Sequence, residues 1–158
     1  MSNKKLEFNQ FYRSALLYLE RYEASRLTLQ RVLERKVYRL QEDLSLYRQE
    51  IENVLIALEE KGFLNERRYV ENQIRILSNS GKSNRFIFQK LKAKGISESM
   101  ISDVFQASDE FLGEEEKIKI FMRKKCLYMT DYNKKLSRLL RAGFPYETVK
   151  KILGENEG

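Results

Sequence analysis

The sequence has no histidine, one cysteine, one proline and seven glycines in 158 residues. Without histidine there is no imidazole metal ligand, no histidine general base and no Ser-His-Asp triad. A single cysteine excludes a disulfide framework within the chain and fits a reducing compartment. Cys126 lies between Met122 and Met129, where a small buried thiol is expected rather than a nucleophile. No stretch approaches the ~18 apolar residues of a membrane span. The opening MSNKKLEFNQ lacks the apolar segment of a signal peptide. A cytoplasmic protein is therefore expected. The phosphate-binding patterns GxxxxGK[ST] and GxGxxG are missing too, so nucleotide hydrolysis is not expected. Gly81-Lys82-Ser83 lacks the upstream glycine and reads as the start of a helix. The run Glu114-Glu115-Glu116 points in different directions on a helix, so it reads as dipole compensation rather than a metal site. No cofactor and no catalytic constellation is expected.

Few breakers and abundant Leu, Glu, Lys, Arg and Gln favour an all-α chain. Apolar residues make up 42% of the sequence, enough for a core. Phe11, Ala15, Leu19 and Tyr22 fall at helical spacing, which predicts a helix from Phe8 to about Tyr22. Ser25 is placed to cap a second helix carrying Leu29, Val32 and Leu33. A breaker-free segment then runs from Glu34 to Lys61. Its Val37, Leu40, Leu44, Tyr47, Ile51, Val54 and Leu58 alternate three and four apart. That pattern fits one or two helices packed inside the domain, or a dimerising coiled-coil seam. Asn65, Ser83, Ser97 and Asp131 are candidate caps for later helices. One helix is expected from about Glu114 to Tyr128, and a short last one after Pro145.

Aligning Gly95 with Gly143 brings Ser83 onto Asp131, Leu91 onto Leu139, Ile96 onto Phe144, Ile101 onto Val149 and Val104 onto Ile152. Two units thus share an apolar-x-x-Leu-x-x-x-Gly-apolar core followed by a short capped helix. A fainter echo sets Arg26, Leu29, Arg31 and Val32 against Arg85, Phe88, Lys90 and Leu91. There Lys36 stands in place of the glycine, and about a dozen extra residues precede the helix ending at Gly62. The expected organisation is a flexible N-terminus (1–7), a divergent first repeat (8–62), a second (63–108), a third (109–154) and a tail (155–158).

Charge alternates along the chain. The net charge of +7 divides into +4 over residues 1–36, −4 over 37–60, +5 over 61–105, −3 over 106–122 and +5 over 123–158. Lys82, Arg85, Gln89 and Lys92 fall on one helical stripe, with Lys90 and Lys94 beside it. Lys134, Arg138 and Arg141 form a similar stripe downstream. One such stripe is usually a solvated face. Recurrence on equivalent helices suits a phosphate backbone or an acidic groove.

Leu64, Tyr69, Arg75, Gly81, Ile87, Leu91, Lys94-Gly95-Ile96, Ile101 and Val104 resemble the central motif of the RecX family, bacterial regulators of the RecA recombinase. Leu136, Leu139, Gly143, Phe144, Val149 and Leu153 resemble that family's C-terminal part. The resemblance covers most of the chain and is strongest over residues 58–105. It implies tandem three-helix, helix-turn-helix-like repeats in an elongated, curved arrangement. It also implies binding in the groove of the RecA–single-stranded DNA filament, which lowers recombinase ATPase and strand exchange. The contact residues expected from the recurrence of cations on the polar sides of equivalent helices are Arg26, Arg31, Arg75, Lys82, Arg85, Lys90, Lys94, Arg123, Lys134, Arg138 and Arg141. A monomer with no membrane partner is expected. The alternatives are a stand-alone nucleic-acid-binding helical module and a dimer built on the Val37–Leu58 seam.

Overall fold

The computed structural model describes residues 5–155, and among them there are only helices and turns. In chain order these are α1 (Phe8–Arg21), α2 (Arg26–Arg39), a 3-10 turn (Leu44–Leu46), α3 (Arg48–Glu60), α4 (Glu66–Asn79), α5 (Asn84–Ala93), α6 (Glu98–Ala107), α7 (Glu114–Lys124), a second 3-10 turn (Leu127–Met129), α8 (Tyr132–Arg141) and α9 (Tyr146–Glu155). The expected all-α class is observed. Residues 1–4 of the expected flexible N-terminus and residues 156–158 of the expected tail lie outside the described residues. Residues 5–7, expected to fray, are held. The Lys5 backbone N–H donates to the Tyr47 hydroxyl at 3.0 Å, and Leu6 is buried.

The chain forms two compact units. The first runs to Tyr69 and takes in Lys94–Ile96; the second holds Val70–Ala93 and the residues from Ser97 onward. In the first, α1, α2 and α3 close around Phe11, Ala15, Leu29, Leu33, Val37, Tyr47, Ile51, Val54, Leu55 and Leu58. Each fully buried Leu or Ile there contributes about 1.5–3 kcal/mol. The Phe11 and Tyr47 rings meet edge to face, 5.8 Å between centroids. The heptad-like run is therefore two helices broken at residues 40–47, and Val37, Tyr47, Ile51, Val54 and Leu58 are spent on the unit's own core. Gln41 makes the break. It takes a left-handed backbone, φ 54°, a conformation that costs a non-glycine residue about 1–2 kcal/mol.

In the second unit, Ile118, Met122, Leu127, Leu139, Phe144, Val149, Ile152 and Leu153 form one cluster. Val70, Ile74, Leu77, Ile87, Leu91, Ile101 and Val104 are buried as well. Helix α7 stops at Lys124, short of the expected Tyr128. Cys126 then adopts φ 54°, and its thiol is exposed rather than buried. A helix running on to Tyr128 would have set Cys126 one turn below Met122, facing in; the left-handed turn rotates it out.

The caps work as local chemistry predicts. Asn65 Oδ1 accepts the Arg68 N–H at 3.0 Å, Ser97 Oγ that of Met100 at 3.3 Å, and Asp131 Oδ1 that of Lys134 at 2.9 Å. Ser25 and Ser83 do more. Ser25 Oγ accepts the Thr28 N–H and donates to the Lys94 carbonyl at 2.7 Å. Ser83 Oγ accepts the Phe86 N–H and donates to the Ala142 carbonyl at 2.8 Å. In both cases the accepting carbonyl immediately precedes a left-handed glycine, Gly95 (φ 83°) or Gly143 (φ 97°). A Cβ on Gly95 would lie 2.8 Å from Leu27, and one on Gly143 would lie 2.7 Å from Ser83 Oγ. The same joint, capping serine against glycine turn, thus occurs twice.

That joint corrects the register of the upstream echo. With Ser25 on Ser83, buried Leu29 and Leu33 correspond to buried Ile87 and Leu91. The sequence match, which set Arg26 on Arg85, is one residue out. The turn position is then held by Gln41 rather than Lys36, because α2 has 14 residues where α5 and α8 have 10. The addition is about one helical turn.

Candidate cationic interface

The eleven expected contact residues fall into distinct settings. Arg26, Arg31 and Lys94 belong to the first unit and the others to the second. Arg26 starts α2 and is engaged on three sides. Its guanidinium pairs with Glu52 and Glu59, and its backbone N–H donates to Glu66 Oε1 at 2.9 Å. Hydrogen bonding to Glu52 leads the effects that raise its pKa. Arg26 is thus a clamp between α2 and α3 rather than a presented cation. Arg31, Arg85, Lys90, Lys94, Arg123 and Lys134 are exposed. Arg75 is exposed too, with Nη1 3.1 Å from Asn72 Oδ1.

Two residues leave the stripes drawn from periodicity. Lys82 precedes Ser83 and lies outside α5, and Lys94 follows Ala93, outside it at the other end. Lys82 lines a cavity of about 330 Å³ together with Lys125, Arg138 and Arg141. Three expected residues therefore meet in space, although two of them were assigned to a different helix from the third. Lys134 is exposed elsewhere on α8. Lys92, counted on the first stripe, pairs with Glu98.

Sequence reasoning missed two features. Lys125 was not among the expected contacts, although the basic run at the end of α7 was its signal. A cleft of about 410 Å³ between α1 and α2 gathers Arg21, Lys36 and Arg39 with Tyr18 and Tyr22. Lys36 Nζ reaches Ser14 Oγ at 2.9 Å there. These residues lie on two helices whose relative placement only packing sets.

The three glutamates that open α7 are each paired with a lysine. Glu115 pairs with Lys151 at 2.7 Å and Glu116 with Lys119 at 3.5 Å. Glu114 pairs with Lys117 at 2.8 Å and accepts the Asn84 N–H at 2.9 Å. Lys117 is fully buried and also donates to Asn84 Oδ1. Burial lowers its pKa from the ordinary lysine value, against the opposing pull of Glu114. Among the described residues no group of three or more His, Cys, Asp or Glu is placed to hold a metal. No helix among them is long and apolar enough to cross a membrane.

An all-α chain of capped short helices, with a capping serine set against a glycine turn twice and cations exposed on several helices, is of the small helical-domain class. The family described as "RecX, second three-helix domain" matches residues 65–104. Over 156 residues the chain is 34% identical to the regulatory protein RecX of Myxococcus xanthus, covering 90% of this chain and 83% of that one. It is 30% identical over 110 residues to the regulatory protein RecX of Vibrio vulnificus, covering 68% and 72%. The fold matches the crystal structure of RecX from Lactobacillus salivarius with a TM-score of 0.69 at 23% identity, over 94% of this chain and 95% of that one. A second crystal structure of a regulatory protein RecX gives 0.71 at 20% identity, over 94% and 73%. The chain belongs to the RecX family of regulatory proteins.

Proposed function

We propose that this protein is a non-enzymatic, cytoplasmic regulator that binds the RecA–single-stranded DNA filament and inhibits or remodels it. Recombinase ATPase and strand exchange fall as a result. Family membership supports the recombinase as target. The observation that carries the surface is the set of cations that stay exposed, Arg31, Arg85, Lys90, Lys94, Arg123 and Lys134, which come from several elements of the chain. Such a surface fits a partner built on phosphates or acidic side chains. We further propose that the chain is three three-helix repeats with boundaries at 8–62, 63–108 and 109–154, the twice-used serine–glycine joint linking consecutive ones.

The test adds purified protein to a recombinase filament on single-stranded DNA and follows ATP hydrolysis. Inhibition is expected at stoichiometric protein, and Lys90→Glu with Arg138→Glu should weaken it. No inhibition at that ratio overturns the reading. A stand-alone nucleic-acid module predicts the reverse: tight binding to bare DNA or RNA, steeply salt-dependent, with no effect on the filament.

A further inference from the structure

The cavity of about 330 Å³ in the second unit gathers four cations from separate elements. Lys82 comes from the turn before α5, Lys125 from the turn after α7, and Arg138 and Arg141 from the end of α8. The Phe86 and Phe121 rings complete the walls with Gly81, Ser83 and Ala142, and no carboxylate lines it. The neighbouring Lys124 does not line it and donates to the Ser80 carbonyl at 3.0 Å. Of two consecutive lysines, one thus closes a turn and the other lines the cavity. The one Ser83 hydroxyl proton is used in the joint, donated to Ala142, while the oxygen accepts from Phe86. Lys82 Nζ lies 4.8 Å from the Phe86 ring centroid, so the ring holds a cation at the cavity wall.

Four cations in one concavity repel one another, and an anion there offsets that cost. A bare anion would use the cations alone, whereas the wall also has an apolar part, Phe86 beneath Lys82 and Phe121 edge to face with Phe144. Aromatic rings interleaved with cations suit a base carried on a phosphate, and the volume falls within the range of small-ligand sites. We infer that this cavity binds a phosphorylated nucleoside unit, its phosphate against Lys82, Lys125, Arg138 and Arg141 and its base against Phe86 and Phe121. The unit is either one nucleotide of a single strand or a free nucleotide. This deepens the filament reading by naming a component the cavity would take, and its test contains no recombinase, so either can fail alone.

The experiment is a titration of the full-length ¹⁵N-labelled chain, observed by amide chemical shifts, with inorganic phosphate, thymidine monophosphate and a short oligothymidylate in separate arms. Saturable shifts clustered at Gly81, Lys82, Phe86, Lys125 and Arg141 are expected from a nucleotide arm, with phosphate weaker. Saturation by the oligonucleotide alone assigns the site to a strand; equal saturation by the monophosphate assigns it to a free nucleotide. Exposed Lys125→Glu should weaken binding about tenfold, and Arg141→Ala should weaken it in the same direction. Lys150→Glu, an exposed cation on α9 outside the cavity, should leave it within about twofold. Shifts spread over all basic faces, phosphate binding as tightly as nucleotide, no binding, or equal effects of Lys125→Glu and Lys150→Glu each overturn the inference.

Discussion

Ser25 and Ser83 need a side chain that accepts one hydrogen bond and donates another. A hydroxyl does both; a carboxylate only accepts. Asp131 caps α8 by accepting alone, and a carboxylate serves there. Ser83→Asp should therefore keep the cap yet lose the bond to Ala142 and set a charge against that carbonyl, costing about 1–3 kcal/mol. Asp131→Ser should change stability by less than about 0.5 kcal/mol. Urea unfolding of both variants checks the contrast. The turn residues give a second pair. Gly143→Ala combines a left-handed backbone with a clash against Ser83 and should cost about 2–3 kcal/mol. Gln41→Gly relieves the same backbone cost at an exposed site and should stabilise by roughly 1 kcal/mol. Capping residues were legible in the sequence because each signal is complete within four positions. The left-handed turns at Gln41 and Cys126 were not, since neither residue advertises that conformation.

Helix α7 is tied to the start of α5 by Lys117, buried between Glu114 and Asn84. Glu114→Gln leaves that ammonium without its carboxylate and should cost about 3–5 kcal/mol in urea unfolding. The pH dependence has a defined sign. Burial lowers the Lys117 pKa in the folded state below its ordinary 10.5. Between the two values the unfolded chain holds a proton that the folded chain has lost, so stability rises with pH in that window. Relative to Lys117→Met, the parent should gain stability as pH climbs towards 10.5, measured by unfolding at a series of alkaline pH values. Between α2 and α3 the corresponding tie is Arg26. Arg26→Ala should lower stability by about 1–2 kcal/mol. Filament inhibition per folded molecule should be unchanged, because the guanidinium already serves Glu52 and Glu59. The basic stripe read from sequence could not separate this clamp from a presented cation, because the acids that engage it lie on α3.

For the whole molecule, burial of Val37, Tyr47, Ile51, Val54 and Leu58 in the first unit takes most of the apolar seam that a coiled-coil dimer would need. Sedimentation at micromolar concentration should show a monomer. The net charge of +7 should make partner binding fall as salt rises.

Helix content, the capping residues, most of the inward apolar positions and the alternating charge blocks were determined by the sequence alone. Each depends on contacts within a turn or two of helix, where spacing is fixed by the backbone. Three matters were left to tertiary structure. It broke the Glu34–Lys61 segment in two, drew Arg26 into a clamp while leaving other cations exposed, and gathered Lys82, Lys125, Arg138 and Arg141 around one cavity. Those outcomes rest on neighbours far apart along the chain, and only packing decides which distant side chain a charge will meet.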